Sequence, residues 1–398
     1  MHNLNLNKLY LQSANLEGKN LSITVDSEEH INPIIYTSRS AYIAKKVSEM
    51  NKYDFNRIEV GNITRDAMIN SITYRKSDLE LYDRYPNVLI KQYSEVSNKD
   101  NKQHQSHEFQ PKVIFPIIRS SISPDLRTHV GSPERFLYLG LGLKAMTEIQ
   151  INRNVVISGN IGRSFTDNFD RKVSDPNSAL PHVRTEILDY LQQSSNDFYI
   201  TYLDIESIWS PYKNTWAKLN FGILEQMYGG ISGELLYKPF SSNIAISFEG
   251  NLIKRRTFEQ RFDFLDYKTE TSHVNFAFYQ PQSNILAKLS FGRYLAGDNG
   301  YTLDISRRMP SGWKAGFFFT RTNVSAELFG EGSFDKGFYF SVPTNIFSTG
   351  YSKDSNGFGL RTMTRDGGQK LELRNRLIDS FYGSTFTEIN ENWTNYLD

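Results

Sequence analysis

The chain has 398 residues, with 45 basic and 44 acidic side chains for a formal net charge of +1, and no cysteine. So even a balance supplies no global field for nucleic acid or an acidic partner, and the missing thiols exclude disulfides, thiolate catalysis and cysteine metal sites together. Hydrophobic residues make up only 39% while aromatics reach 14%, which suits a barrel with an apolar belt, aromatic girdles and a polar lumen. No apolar run approaches the roughly 18 residues of a membrane helix.

The first residues, MHNLNLNKLYLQSANLEGKN, lack the basic stretch and apolar core of a signal peptide. Residues 1–92 read as a small α/β module. Leu21, Ile23 and Val25 alternate as a strand, and Ser38 or Ser40 caps a helix through Met50 that presents Ile43, Val47 and Met50 on one face. Ile58 and Val60 mark a second strand, Ile69 to Tyr74 a third, and Leu79 and Leu81 extend the unit. So few elements are marginal alone, and the module is expected to pack on something else. Residues 93–112, YSEVSNKDNKQHQSHEFQPK, are polar and nearly free of aliphatics, and read as a flexible linker. His104 and His107 stand three apart there, but no carboxylate cluster surrounds them, so they read as solvated residues rather than metal ligands.

From 113 to 380 the pattern changes to period two. In RFLYLGLGLKAM, Leu137, Leu139, Leu141 and Leu143 alternate with Tyr138, Gly140, Gly142 and Lys144. Alternate side chains of a strand face opposite ways, so one face is continuous leucine and the other small or polar. The same alternation recurs in Ala217–Ile223, Ile244–Leu252, Ile285–Phe291 and Leu303–Ile305. Repeated segments of this kind, joined by turns of uneven length, predict a mainly β chain: a transmembrane antiparallel β-barrel of roughly 12–14 strands behind the α/β module. Short turns fall at 238–242, 280–283 and 309–312, and long loops at 165–195, 257–271 and 321–336. Leu139 and Leu141 are expected to face lipid. Residues 381–398 read as a C-terminal extension or tail.

Six phrases give a more specific reading: LPHVRTE (180–186), MYGGISGELLYKP (227–239), FDFLDYKTETSH (262–273), FGRYLAGDNGYTLDISR (291–307), TNVSAELFGEGSFDKG (322–337) and TRDGG (364–368). Together and in this order they closely resemble the YjbH family of outer-membrane proteins of exopolysaccharide and group 4 capsule biosynthesis. The resemblance runs from about residue 15 to 380. It implies a barrel at the outer membrane acting with a lipoprotein and soluble periplasmic proteins of the same secretion system. It also implies that residues 1–92 are the family's periplasmic module, which there follows another β-rich, barrel-like region. A secreted barrel needs a signal peptide, so the chain is expected to be a fragment whose true start lies upstream. The chain continues past Leu377 without the terminal aromatic common in such barrels.

The candidate residues each carry two readings. Gly140 and Gly142 with Ala145 faintly match a dinucleotide fingerprint, but no helix follows and both glycines share a strand face, so lumen packing is preferred. Asp204, Glu206, Glu234 and Glu249 fall on predicted polar faces; a carboxylate pair can hydrolyse a glycosidic bond, but alternation alone places charges there, balanced by Lys218, Lys238 and Lys288. His182 and His273 lie inside the phrases, yet Ser272 points away from its neighbour His273 and no G-x-S-x-G nucleophile motif occurs. Arg184, Arg293, Tyr294, Asp298, Arg365 and Asp366 read as lumen or glycan contacts, since aromatic rings beside polar groups suit sugars. The loop 330–337, with Glu331, Asp335 and Lys336, reads either as a glycan contact or as an Asp–Lys pair fixing a plug. The four N-x-S/T triplets, at Asn20, Asn62, Asn323 and Asn392, are treated as chance.

The preferred reading is a non-enzymatic outer-membrane barrel for export or assembly of a secreted polysaccharide. Its partners are outer-membrane lipid and the polysaccharide, with no cofactor, no metal and no nucleic acid. The rivals are an outer-membrane glycan or lipid hydrolase and a soluble β-rich glycan-binding protein.

Overall fold

The computed structural model describes the chain except residues 28–32, 66, 85–93, 99–101, 131–136, 170–178, 196, 310–312, 331–332, 344–354, 362–364, 382, 392 and 394–398. In the module, α1 (His2–Leu6) leads into β1 (Leu9–Glu17) and β2 (Asn20–Ser27). There follow α2 (Pro33–Met50), β3 (Arg57–Thr64), β4 (Ala67–Arg75), α3 (Lys76–Arg84) and β5 (Glu95–Ser97). The five strands form one sheet in the order β1-β2-β3-β4-β5, with β2 and β3 parallel. That parallel step needs a crossover, which α2 supplies. Leu9, Val25, Ile34, Phe55, Ile58, Val60, Ile72, Tyr74 and Leu79 close a fully buried apolar core.

Helix α2 starts before the expected caps and buries a different face. Val47 is 37% and Met50 79% exposed, whereas Thr37, Ser38, Ser40 and Ala41 are buried. The hydroxyls can enter the interior because they bond back to their own helix: Ser40 Oγ donates to the Tyr36 carbonyl at 2.7 Å and Ser48 Oγ to that of Lys45 at 2.7 Å.

The barrel strands are β6 (Ile117–Val130), β7 (Leu137–Gln150), β8 (Val155–Asp167), the short β9 (Phe198–Tyr199), β10 (Leu203–Tyr212) and β11 (Thr215–Ile223). They continue with β12 (Tyr228–Tyr237), β13 (Ile244–Arg256), β14 (Phe264–Gln280), β15 (Ile285–Arg293) and β16 (Asn299–Arg308). The last three are β17 (Lys314–Thr322), β18 (Asp335–Pro343) and β19 (Ser355–Arg361). Apart from β9, which pairs with β8, each is hydrogen-bonded to the next in one antiparallel path from β6 to β19, thirteen strands among the described residues. β19 comes back alongside β6, so the barrel is nearly closed. The stretch 257–271 is not all loop, because β14 begins at Phe264.

The alternation resolves into an inverted protein. Ile122, Leu126, Leu141, Ile161, Phe221, Ile246, Phe248, Leu252, Phe276, Phe317 and Phe338 are all exposed on the outside. Asp204, Glu206, Lys218, Asn220, Glu234, Glu249, Asn251 and His273 are buried within. Leu141 is 49% exposed, on the face the leucine pattern predicts. Gly140 and Gly142 serve packing: a Cβ at Gly140 would meet the Phe169 ring at 2.8 Å, and one at Gly142 would strike the Arg163 carbonyl oxygen.

Two segments differ from the sequence reading. Residues 93–112 do not behave as a free linker among the described residues: β5 extends the module sheet, Ser13 Oγ lies 2.8 Å from His107 Nδ1, and the backbones of Ala14 and Phe109 pair at 2.7 and 2.9 Å. Their polarity satisfies the sheet edge rather than water alone. The described residues between 365 and 393 form neither strand nor trailing tail. They run through the lumen as α6 (Leu377–Ser380) and reach the module as α7 (Phe386–Glu391), after a short α4 (Ile187–Gln193) and α5 (Ala326–Phe329) in the loops. Ile389 and Trp393 finish inside the module core.

Candidate functional site

The lumen is filled by the described residues from 365 to 381, before the chain passes into the module, and the wall charges hold them. At the end carrying the longer loops, the Asp366 carboxylate accepts the amides of Val183 (2.8 Å), Arg184 (2.8 Å) and Thr185 (3.1 Å) and the Thr185 hydroxyl (2.9 Å). Three converging N–H groups make an anion cradle, here filled by a side chain of the same chain. The phrases LPHVRTE and TRDGG are thus two halves of one contact. Gly368 has φ +73° and its amide donates to Asp298 at 2.8 Å; a Cβ there would strike Thr320, so the turn requires glycine. Gln369 Nε2 donates to Asp335 at 3.2 Å. Tyr294 joins through a hydroxyl chain, Tyr294–Thr302 at 2.7 Å and Thr302–Thr320 at 2.8 Å.

Arg184 anchors the next turn. It forks onto Glu225 at 2.7 and 2.9 Å and donates to the Lys370 carbonyl at 2.8 Å, while the Glu372 amide donates to Glu225 at 2.7 Å. Burial alone would lower the Arg184 pKa, but Glu225 and Glu372 beside it raise it, so this buried group stays a cation.

At mid-lumen the segment is cationic and meets the acidic wall. Arg374 donates to Asp204 at 2.7 Å over the Tyr202 ring, and Arg376 pairs with Glu249. The Leu377 amide donates to Glu234 at 2.9 Å, and Lys218 bridges Glu234 (3.4 Å) and the Asn375 carbonyl (2.7 Å). Further along the segment turns acidic and meets the basic wall. Asp379 takes Arg308 at 2.9 Å and Lys314 at 3.2 Å, and Lys238 takes both oxygens of Glu388 at 2.7 and 2.8 Å. Phe381 stacks on Trp216 at 4.5 Å. Thr385 and Glu388 form a reciprocal capping box that starts α7.

The module closes the short-turn end. Arg65 reaches Glu206 at 3.3 Å, Asn98 donates to Asn214 at 2.9 Å, Asn70 donates to the Gly383 carbonyl at 3.2 Å, and Ile69 packs with Trp216, Leu377 and Phe381.

The structure therefore brings most of the sequence candidates onto one interlock. His182, whose Nδ1 lies 3.0 Å from the Thr185 hydroxyl, Arg184, Tyr294, Asp298, Asp335 and Asp366 gather at its loop end, and Glu234 and Glu249 at its middle. His273 sits across from Glu249, edge-on to Tyr294 at 4.8 Å, with no hydrogen-bond partner on either ring nitrogen among the described residues. Arg293 is exposed, Lys336 lies over the Phe334 ring at 4.2 Å, and the Arg365 guanidinium borders Gly330. Glu331 lies outside the described residues. Sequence reasoning missed the other partners: Glu225, Arg374, Arg376, Asp379 and Glu388. The available signal was charge density, R-N-R-L-I-D and T-x-x-E, in a stretch that showed no strand alternation.

Fold and site define a β-barrel whose charged lumen is filled by its own C-terminal segment and covered by an α/β module. The family model described as "Exopolysaccharide biosynthesis protein YbjH" matches residues 2–381, and the chain belongs to this YjbH family. A curated relative from Escherichia coli (strain K12), described as "Uncharacterized lipoprotein YjbH", is 36% identical over 266 residues, covering 65% of this chain and 38% of the relative, so the chain spans well under half of that protein's length. Among solved structures, Salmonella typhi OmpF has a TM-score of 0.30 at 10% identity, over 62% of this chain and 98% of its own. Pseudomonas aeruginosa OccK9 has a TM-score of 0.29 at 14% identity, over 65% of this chain and 72% of its own.

Proposed function

We propose that the chain is an outer-membrane barrel taking part in the export or assembly of a secreted exopolysaccharide or capsule. The observation that carries the membrane part is the inversion of the barrel, apolar outside and charged inside, which is stable only where lipid replaces water around it. The polysaccharide part comes from the family. In this orientation the short-turn end and the module face the periplasm, where a lipoprotein and soluble proteins of the same system would meet it. The filled lumen is then a resting state, and passage of a polymer requires residues 365–393 to move.

A glycan hydrolase is the less supported reading. Glu234 and Glu249 lie directly across from each other on β12 and β13, but Glu234 is held by Lys218 and the Leu377 amide, and Glu249 by Arg376. Neither is free to serve as acid or nucleophile while the segment is in place.

The test is fractionation and secretion in the source cell. The full-length protein should partition with outer membranes, and its deletion should reduce secreted polysaccharide. Glu234→Gln with Glu249→Gln should leave the polymer's chain length unchanged if the protein fits this reading, and alter it if it cleaves glycan. Recovery in the soluble periplasm, or wild-type secretion after deletion, would discard the proposal.

A further inference from the structure

The lumen wall is basic where the short turns meet the module. Lys238 follows β12, Arg308 ends β16 and Lys314 opens β17, and the three line one cleft with Tyr279, Asp379 and Glu388. Lys288 stands on β15 with Asp304 directly across from it on β16, and both Asp304 oxygens accept the Tyr339 hydroxyl, at 3.0 and 3.1 Å. Asp379 and Glu388 come from the C-terminal segment and take Lys238, Arg308 and Lys314 in direct ion pairs. The segment thus brings two carboxylates to these three cations. Among the described residues, the wall's own carboxylate directly across from Lys288 is Asp304.

We propose that this basic strip is a lumen binding site for an acidic polysaccharide, and that Asp379 and Glu388 occupy it as internal stand-ins until the segment is displaced. The inference rests on the exopolysaccharide reading above and gives its cargo a class. A carboxylate on a polymer replaces Asp379 charge for charge. A neutral glycan would leave partly buried cations without partners, which is costly. Deeper in the lumen, Asp204 and Glu249 lose Arg374 and Arg376 in the same movement and then repel a polyanion toward the strip. The strip also lies at the mouth facing the module, where a polymer arriving from that side meets the lumen first.

The experiment uses the full chain in detergent micelles, with fluorescent oligogalacturonate as the acidic probe and dextran oligomers of similar length as the neutral one. Asp379→Asn with Glu388→Gln should bind oligogalacturonate roughly tenfold tighter than wild type, about what one charge-assisted contact is worth. Dextran binding should not change. Adding Arg308→Gln and Lys314→Gln, or raising the salt, should remove the gain. A folded double variant, judged by heat-modifiable gel migration, that binds oligogalacturonate no better than wild type would overturn the proposal, as would an equal gain for dextran. Should the double variant not fold, Asp379→Asn alone keeps the Lys238–Glu388 pair and the α7 cap and carries the same comparison. Because binding is measured on purified protein, failure here with a secretion defect in deleted cells removes the strip and leaves the export role standing.

Discussion

The module and the barrel solve opposite problems with the same strand pattern. In the module the alternating aliphatics turn inward and make a dry core, with Ile58, Val60 and Ile72 fully buried. In the barrel they turn outward, and the interior is built from ion pairs and hydrogen bonds such as Arg184–Glu225, Arg376–Glu249 and Lys238–Glu388. The face that goes inward is therefore set by what surrounds the sheet and not by the alternation, which reads the same either way. The two interiors should also fail differently: one by loss of packing, the other by a charge left alone.

The sharpest break is Arg376→Met. It leaves Glu249 buried without its ion-pair partner, with only the Asn251 amide bonded to its carboxylate among the described residues, and a cost of about 3–5 kcal/mol is expected for removing one partner of a buried pair. Denaturant titration of the refolded barrel reads it. Pairing it with Glu249→Leu should recover most of the loss, since an apolar pair of similar volume is close to neutral in such sites. No recovery would mean that Arg376 acts through shape rather than charge.

Next comes the outer face. Leu141→Arg should cost about 2–4 kcal/mol when the chain is folded into liposomes, as for a cation near mid-membrane. The same substitution leaving liposome folding untouched would deny that this face meets lipid and would return the barrel to a soluble setting.

The smallest effect belongs to the module. Ile58→Val removes one methylene from a fully buried site and should cost roughly 0.5–1.5 kcal/mol, with no dependence on salt. A salt-dependent loss there would show that the module core is not dry, and the contrast with the barrel would collapse.

The sequence by itself determined the class of fold. Period-two alternation is local, so RFLYLGLGLKAM and its repeats disclose strands and their two faces without reference to anything distant. It also placed Asp204, Glu206, Glu234 and Glu249 on the polar face, where the structure buries them. It picked out the phrases LPHVRTE and TRDGG. It did not show that these phrases touch each other, because Asp366 and Val183 meet across 183 positions of chain. It misread 93–112 and the C-terminal stretch for a related reason: polar segments look solvated until the surface that satisfies them is known. Only the tertiary structure decided that the described residues from 365 to 381 enter the lumen. Their arginines meet carboxylates at mid-lumen, while Asp379 meets Arg308 and Lys314 nearer the short-turn mouth. That complementarity exists only once the thirteen strands of the described residues have curved far enough to bring these groups within hydrogen-bonding reach of the same segment.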